Sequence, residues 1–335
     1  MVWIVGCNNS IVTDFYLNII ESAIKIITTT NVLKADSIDS IKNSNKNDYY
    51  IVARIIDAVK LYLKGRQNII FWVQGVEPEE SYMRHKNVFK KVVLEILERF
   101  ILTRAKFVFF VSNTMKKHYE IKYGINFNER HYIMPCFNTN IHKPAFFKKG
   151  KYKNNVFVYI GSLSVWQRFD KVVAFYKCIE EFGIFNSKLL VLTSERQKAT
   201  DILKKSGIRN YEVSFVNNDE LPNILSDAKY GFIIRDDVIV NHVATPTKIS
   251  TYLSCGVIPI YSSCLKDFHR VSEGMRYKIL YDTDSIQNVL SGLLREEINS
   301  MEIYEEYKNV FSTYYNVDYH IKNIIPCVKG LLKPE

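Results

Sequence analysis

The sequence predicts an α/β protein made of two Rossmann-like domains. Short runs rich in β-branched and aromatic residues alternate with longer helical patterns, which is typical of parallel sheets flanked by helices. Runs such as Asn68–Val73 are apolar at nearly every position, as expected for a strand buried on both faces. The pattern stops in Ile141–Asn155, which contains Pro144, Gly150 and several lysines, and then restarts, so this segment is predicted to link the domains.

The predicted domains are 1–145 and 146–315, followed by a C-terminal helix at 316–335 that packs back on the first domain. At roughly 100–200 residues per domain, a chain of 335 residues is long enough for two. Hydrophobic residues make up 47% and charged residues 24%, a globular balance with apolar material for two cores.

Composition also bounds location and partners. The six cysteines form no CxxC pair and no histidine cluster lies nearby, so we expect buried, reduced thiols and a cytoplasmic protein. The N-terminus lacks the basic and apolar regions of a signal peptide, and no apolar run approaches the roughly 20 residues of a membrane span. The net charge of +10 favours a polyanionic partner: nucleic acid, acidic lipid or a phosphorylated substrate.

In the first half, apolar β-rich runs predict strands and amphipathic stretches predict helices. Ser112 and Asn113 offer an N-cap for one helix, and Gly124 offers its stop. The predicted elements in order are strand Val2–Val5, helix Val12–Ala23, strand Ile24–Thr28, helix Tyr50–Leu63, strand Asn68–Val73, helix Asn87–Thr103, strand Phe107–Val111, helix Thr114–Tyr123 and strand Tyr132–Met134.

The second half repeats this alternation, with Gly207 and Gly256 as helix stops. The predicted elements in order are strand Val156–Ile160, helix Phe169–Phe182, strand Leu189–Thr193, helix Arg196–Ser206, strand Glu212–Val216, a short helix from Asp219 to Ala228, strand Tyr230–Arg235, helix Pro246–Cys255, strand Val257–Tyr261 and helices over most of Ile286–Leu332.

The helix start at Thr245-Pro246-Thr247-Lys248 is a candidate phosphate site. Thr245 suits the N-cap and Pro246 the first helical position, and a helix N-terminus offers unpaired backbone N–H groups to an anion. A cation such as Lys248 in the first turn is mildly unfavourable for the helix, and a bound anion would offset that cost. The alternative is an ordinary capped helix with an exposed lysine.

Two further candidates follow strands of the second half. Arg235 ends an apolar strand, and ligands of parallel α/β sheets bind beyond the carboxyl ends of strands. It can contact a phosphate in bidentate fashion, or it can pair with Asp236 or Asp237 at the surface. Gly161 and Ser162 follow the first strand of this half, where a glycine permits close approach of a ligand.

Polar residues crowd the corresponding edge in the first half. Gln74 and Glu77 follow a buried strand, where a general base or a hydroxyl-binding group can sit, and Asn8 and Asn9 follow the first strand. The alternative is a plain loop with acidic helix caps. The basic and aromatic stretch 82–86, with two lysines after it, can meet anionic lipid or form a solvated helix face.

Several segments resemble bacterial glycosyltransferases of the two-Rossmann (type B) fold, close to the large retaining family 4. The resemblance covers nearly the whole chain, and its most recognisable block is Pro246–Pro259, which is similar to the family's "E-Y-L-A-C-G-x-P". The supporting segments are Ile160–Asp170, Trp72–Ser81 and Val111–Met115.

The resemblance implies that the domains face each other across a cleft that holds a nucleotide-diphosphate sugar. The diphosphate would lie against the residues near the two strand ends and the helix start: Gly161, Ser162, Arg168, Arg235, Thr245, Thr247 and Lys248. The base and ribose would lie by Val216, Asn217 and Thr251, and the acceptor by Asn8, Asn9 and Gln74. It implies no metal and no cofactor, because basic side chains and a helix dipole neutralise the leaving diphosphate.

Two positions depart from the family pattern. Its Glu-x7-Glu pair would fall on Val243 and Thr251, so both carboxylates are absent and ribose recognition must differ. The usual lysine of the opening loop corresponds to Gln167, with Arg168 as a substitute. Glu77 and His242 are the candidate catalytic residues, the latter because it lies where the first carboxylate would be approached.

The leading interpretation is a retaining, metal-independent glycosyltransferase of surface polysaccharide synthesis, such as capsule or O-antigen. It would transfer a sugar to a saccharide or lipid-linked acceptor at the inner face of the cytoplasmic membrane, which the positive charge fits. The alternatives are a sugar-nucleotide epimerase of the same fold and a non-catalytic protein that binds nucleotide sugars. Nucleic acid is not an expected partner, because no recognition motif is present.

Overall fold

The computed structural model describes residues 1–6, 11–28, 31–184, 186–281, 286–294 and 297–332, which form two units. The first unit comprises Met1–Asn138, His242–Thr245 and Thr313–Glu335, and the second comprises Thr139–Asn241 and Pro246–Ser312. Each unit contains a six-stranded sheet in which every neighbouring pair of strands is parallel. The predicted class, α/β with two Rossmann-like domains, is confirmed.

The first sheet has the strand order β2-β1-β3-β4-β5-β6. Its strands are β1 (Val2–Val5), β2 (Val32–Ala35), β3 (Tyr49–Val52), β4 (Ile69–Val73), β5 (Phe107–Phe110) and β6 (His131–Ile133). Its helices are α1 (Ile11–Ile27), α2 (Ile55–Leu63), α3 (Glu77–His85), α4 (Val88–Arg104) and α5 (Asn113–Tyr123). The strand order reverses beside β1, which has β2 on one side and β3 on the other.

The second sheet has the strand order β12-β11-β10-β7-β8-β9. Its strands are β7 (Val156–Ile160), β8 (Lys188–Leu192), β9 (Tyr211–Ser214), β10 (Tyr230–Ile233), β11 (Ile258–Tyr261) and β12 (Ile279–Leu280). The helices in this part of the chain are α6 (Lys143–Phe146), α7 (Phe169–Glu181), α8 (Arg196–Lys205), α9 (Leu221–Leu225), α10 (Ile239–His242), α11 (Thr247–Ser254), α12 (Lys266–Val271), α13 (Ile286–Leu294) and α14 (Ser300–Ser312). The order reverses between β7 and β10, so the carboxyl ends of these two strands form the crevice where ligands of such sheets bind.

The last helix, α15 (Val317–Lys329), belongs to the first unit and packs against α1. Its His320 is buried and hydrogen-bonded to the hydroxyl of Tyr132 at 2.9 Å. None of the described helices is long and apolar enough to cross a membrane.

Two element predictions in the first half are wrong. Ile24–Thr28 is the end of α1 and not a strand, because Ile20 and Ile24 are buried at helical spacing and Lys25 pairs with Glu21 at 2.7 Å. Tyr50–Leu63 is not a single helix, because its first residues form β3 between β1 and β4 before α2 begins.

The linker prediction for Ile141–Asn155 is also wrong. The second unit begins at Thr139, and α6 buries Phe146 against the rings of Tyr304 and Tyr307 in α14. Lys151 is only 2% exposed and donates hydrogen bonds to the carbonyls of Leu225 at 2.7 Å and Cys255 at 2.8 Å. The lysine-rich segment is therefore part of the folded unit.

Candidate functional site

The crevice of the second sheet begins at Gly161, directly after β7. Its φ of +121° lies in the region that favours glycine. A Cβ atom here would lie 3.5 Å from Nζ of Lys248. Glycine therefore lets the strand end lie close to the lysine, and the approach of a ligand to the same turn stays a prediction.

Lys248 lies half-buried in the first turn of α11. Its Nζ donates a hydrogen bond to Oε1 of Gln167 at 2.7 Å and lies 4.6 Å from the ring centroid of Tyr159, a cation–π distance. Burial, together with the neighbouring positive charge of Arg235, holds the pKa of Lys248 well below its ordinary value.

Arg235 follows β10 on the other side of the crevice and is 7% exposed. Its Nη1 donates to the carbonyl of Trp166 at 2.7 Å, and its backbone N–H donates to Oγ of Ser262 at 3.0 Å. Its Nε has no hydrogen-bond partner among the described residues. Burial lowers the pKa of Arg235 to about 10. Within the described part of the chain it forms no ion pair, so the alternative pairing with Asp236 or Asp237 is wrong.

Lys248 and Arg235 are thus two neighbouring cations that no carboxylate among the described residues balances. Buried charges are normally paired, and like charges destabilise one another. An anion bound between the strand ends would supply the missing partner. This arrangement can hold a phosphate or diphosphate group.

Tyr252 positions the helix that presents Lys248. Its ring packs on Gly231 of β10, where a Cβ atom would lie 2.6 Å from the ring. Its hydroxyl accepts a hydrogen bond from the backbone N–H of Ile160 at 3.2 Å. Sequence reasoning missed this residue, although a glycine inside a strand is a signal of close approach by another group.

Arg168, the third predicted basic residue, already has its charge balanced. It donates to both Asp170 and Asp236, and Asp236 also pairs with Lys171 at 2.6 Å. The structure therefore leaves it less available to an anion than Lys248 or Arg235.

The helix start differs in detail from the prediction. α11 begins at Thr247 with Pro246 as its N-cap, so Thr245 is not the cap. The hydroxyl of Thr245 instead accepts a hydrogen bond from the backbone N–H of Cys136 at 3.0 Å, within the first unit. Thr247 stands in the first turn, where backbone N–H groups have no helical partner.

A cavity of about 200 Å³ lies beside Gly161, at the carboxyl ends of β7, β8 and β9. Ser162 and Val216 line it, whereas the neighbouring Asn217 does not. Phe215, 58% exposed, also lines it and was not predicted, although an aromatic residue just after a strand end is a usable signal. The cavity can take a flat ring against Phe215.

The two positions of the family's carboxylate pair hold no substitute acid. Val243 is fully buried in the first unit, and its carbonyl accepts from Oγ of Ser112 at 2.7 Å. The hydroxyl of Thr251 donates to the carbonyl of Thr247 at 3.1 Å. Among the described residues no group of three His, Cys, Asp or Glu side chains could hold a metal ion.

The first unit has its own cavity, of about 330 Å³, beyond β3 and β4. Gln74 and Glu77 line it, together with Arg54, Glu80 and Glu98. Glu77 begins α3 and is not part of a plain loop, because Pro78 and three acidic residues favour a helix start. Asn8 and Asn9 lie outside the described residues.

The carboxylates of this cavity are poorly solvated. Burial raises the pKa of Glu77 and raises that of Glu98 to about 7. Glu98 accepts hydrogen bonds from the hydroxyls of Tyr123 at 2.6 Å and Tyr119 at 2.8 Å. A carboxyl group whose pKa lies near neutrality can accept or deliver a proton. The carboxylate oxygens of this cavity can also accept hydrogen bonds from hydroxyl groups of a ligand.

His242, the second catalytic candidate, is the last residue of α10 and belongs to the first unit. Its charge helps to lower the pKa of His118, whose lowering is due first to burial. It therefore lies near His118 on α5.

A scan against protein-family models and a search of curated proteins both find no match. The solved structures do match. S. aureus TarM, in complex with fondaparinux, alpha-GlcNAc-glycerol and UDP, superposes with a TM-score of 0.62 at 11% identity over 92% of this chain and 58% of its own. WaaG, a glycosyltransferase of lipopolysaccharide biosynthesis, superposes with a TM-score of 0.63 at 12% identity over 98% of this chain and 100% of its own. Sucrose-phosphate synthase from Thermosynechococcus elongatus gives 0.71 at 11% identity over 98% of each chain.

The fold is that of the type-B glycosyltransferases. Matches at this identity establish the fold alone, and they confirm the type-B fold that the resemblance implies. The chain spans only 58% of the length of TarM. The crevice at β7 and β10 is the position that the resemblance predicts for a donor.

Proposed function

We propose that the protein is a glycosyltransferase that moves a sugar from a nucleotide-diphosphate donor to a saccharide or lipid-linked acceptor. The observation that supports this best is the pair of cations, Lys248 and Arg235, at the strand-order reversal of the second sheet. Lys248 lies beside Gly161, where a Cβ atom would be 3.5 Å from its Nζ, and the charge of Arg235 is close enough to contribute to the lowered pKa of Lys248. A diphosphate would satisfy both cations at once.

The donor's base would occupy the cavity next to Gly161. Its volume of about 200 Å³ suits a planar ring, and Phe215 offers an exposed aromatic face. Val216 lines the same cavity. Because Thr251 replaces the family's ribose-binding carboxylate, the ribose would be held by other groups of the cavity wall, of which Ser162 is the nearest hydroxyl in sequence to Gly161.

Transfer would need no metal. Charge develops on the leaving diphosphate during transfer, and preorganised cations stabilise it without a metal ion. Lys248 and Arg235 supply two positive charges, and the start of α11 supplies a helix dipole. Retention of the anomeric configuration is proposed from the resemblance to family 4.

The acceptor would bind the first unit. The cavity lined by Gln74 and Glu77 offers amide and carboxylate oxygens that accept hydrogen bonds from sugar hydroxyls. Glu77, with its raised pKa, or His242 would handle the acceptor proton. The type-B structures that match include one with UDP and one from lipopolysaccharide biosynthesis, and on this ground we propose a role in capsule, O-antigen or similar surface polysaccharide synthesis at the inner membrane face.

Thermal shifts with UDP, GDP, dTDP and CMP sugars test the donor site, followed by assays of nucleotide release with and without acceptor. The proposal expects one nucleotide class to stabilise the protein and to be released with an acceptor. No shift with any nucleotide would overturn the donor site. A shift without turnover would assign the protein to the non-catalytic class, which the loss of the carboxylates at Val243 and Thr251 favours. Formation of an epimer without nucleotide release would assign an epimerase.

A further inference from the structure

Helix α4 exposes a row of large apolar side chains that nothing in the proposed transfer reaction uses. Their exposed fractions lie between 40% and 79%. They are Val88, Phe89, Val92, Val93 and Ile96, which we call the α4 apolar face. At about 100° per residue they occupy one arc of about 140° on the helix. Helices at the surface of globular proteins normally present polar residues on such an arc.

The helix that presents this face is firmly anchored. Asn87 caps it by accepting a hydrogen bond from the backbone N–H of Lys90 at 2.9 Å. Further along, Glu98, Ile101 and Leu102 are buried against the rest of the unit. The exposed arc is therefore a fixed surface on a well-packed helix and not a frayed end.

Basic side chains surround the α4 apolar face. Lys86 and Lys90 are exposed at its start, and neither forms an ion pair within the described ranges. Arg99 and Arg104 are exposed towards the end of the helix. The two acidic residues of α4 have their charges balanced: Glu95, at the edge of the apolar arc, pairs with Lys91 and Lys122, and the buried Glu98 pairs with Lys122.

We infer that the α4 apolar face docks on an anionic membrane surface. An apolar arc flanked by cations combines the two contributions that stable surface binding needs, insertion at the acyl boundary and attraction to acidic headgroups. A second copy of the chain is a poorer partner, because cations flank both ends of the face, and a two-fold contact would bring the cations of one copy close to those of the other. This inference deepens the proposed function, which already places the protein at the membrane face, by naming the surface that binds there, and it does not depend on the donor site.

Flotation of the full-length protein with phosphatidylcholine vesicles, with and without phosphatidylglycerol, tests this inference. We expect binding to the anionic vesicles only. The double variant Phe89→Ser/Ile96→Ser should lower the partition coefficient by about tenfold or more, since two large apolar side chains no longer insert. Lys86→Glu/Lys90→Glu should lower it by a similar factor of about ten, and high salt should remove this second difference.

Ile121→Ser is the matched control, because Ile121 is 86% exposed on α5 of the same unit. It should bind vesicles like the parent protein. All these positions are exposed, so melting temperature and nucleotide affinity should not change, which separates this test from that of the proposed function. The inference is overturned by equal binding to neutral vesicles, by no binding, or by an equal loss in Ile121→Ser. A dimer that Phe89→Ser/Ile96→Ser dissociates, without vesicle binding, would assign the face to self-association instead.

Discussion

The ammonium group of Lys248 donates a hydrogen bond to the side-chain oxygen of Gln167 at 2.7 Å. Gln167 stands where the glycosyltransferases that the sequence resembles have a lysine. Burial and the repulsion by Arg235 already lower the pKa of Lys248, and a second ammonium group here would add to that repulsion. The amide oxygen of Gln167 instead orients Lys248. The departure from the family pattern thus has a local compensation.

Gln167→Ala should weaken binding of the nucleoside diphosphate by about 1 kcal/mol, roughly fivefold, because Lys248 loses the acceptor that orients it. Gln167→Glu should weaken it further, because the new carboxylate would neutralise Lys248 and repel the diphosphate. Isothermal titration with the nucleotide identified by thermal shift measures both. Equal affinity in the parent protein and in Gln167→Glu would contradict the assignment of this site.

Lys248→Met and Arg235→Met should each weaken nucleotide binding by about 1–3 kcal/mol, the contribution of a charge-assisted hydrogen bond. For Lys248→Met the melting temperature of the free protein should not fall, because the variant removes a half-buried cation whose lowered pKa records the cost of burial and repulsion. Nucleotide binding should therefore weaken without a loss of stability. Lys204→Met, at the exposed end of α8, is the control and should alter neither. A parallel loss of stability and binding in Lys248→Met would mean that the lysine is structural.

Gly161→Ala should reduce both stability and nucleotide affinity. The φ of +121° is strained for alanine, and the new Cβ atom would lie 3.5 Å from Nζ of Lys248. Gly183→Ala isolates the backbone contribution, because Gly183 has a φ of +80° and no atom within 4 Å of the Cβ position. Both variants should have a free energy of unfolding lower by about 1 kcal/mol or more. Only Gly161→Ala should lose nucleotide affinity. Loss of affinity in both, measured by titration, would remove the specific role of Gly161.

The elements that could be predicted from sequence are those in which local signals and packing agree. Ser112 caps α5 by accepting from the backbone N–H of Met115 at 2.9 Å, and Gly124 ends it with a φ of +65°. The wrong element predictions occurred where local sequence signals and packing conflict. β-branched residues favoured a strand at Ile24–Thr28, yet burial at helical spacing extends α1 through Ile27. No Gly or Pro separates β3 from α2, so the two elements were merged.

The candidate site divides in the same way. Gly161 and Arg235 were predicted because strand ends at the sheet's carboxyl edge are recognisable in sequence. The choice of partners was not predictable, since Arg168 binds Asp236 across 68 residues and Lys248 binds Gln167 across 81. Such pairings depend on how α7 and α11 pack on the sheet. Lys151, taken for a solvated linker lysine, was misplaced for the same reason.

Lys151 gives a pH-dependent prediction. Burial lowers its pKa to about 7, whereas a lysine in the unfolded chain has a pKa of about 10.4. Between these values the unfolded chain binds more protons, so the free energy of unfolding rises with pH. Lys151→Met cannot titrate here and loses the hydrogen bonds to Leu225 and Cys255. The stability of the parent protein relative to Lys151→Met should therefore increase from about pH 7 to about pH 10, by up to about 1.4 kcal/mol for each pH unit within this window.

Denaturant unfolding of both proteins across this pH range measures the difference directly, because the other titrating groups are common to both and largely cancel. The substitution also changes the ionisation of the neighbouring Cys255, since the charge of Lys151 partly offsets the raised pKa of that thiol. Repeating the comparison in a Cys255→Ser background removes this contribution. If Lys151 is buried as a neutral amine at high pH, the stability gained between about pH 7 and about pH 10, relative to the Lys151→Met variant, persists in that background. Parallel curves would show that Lys151 titrates as an exposed lysine does, and that the segment of Lys151 leaves its site between α9 and α11 in solution.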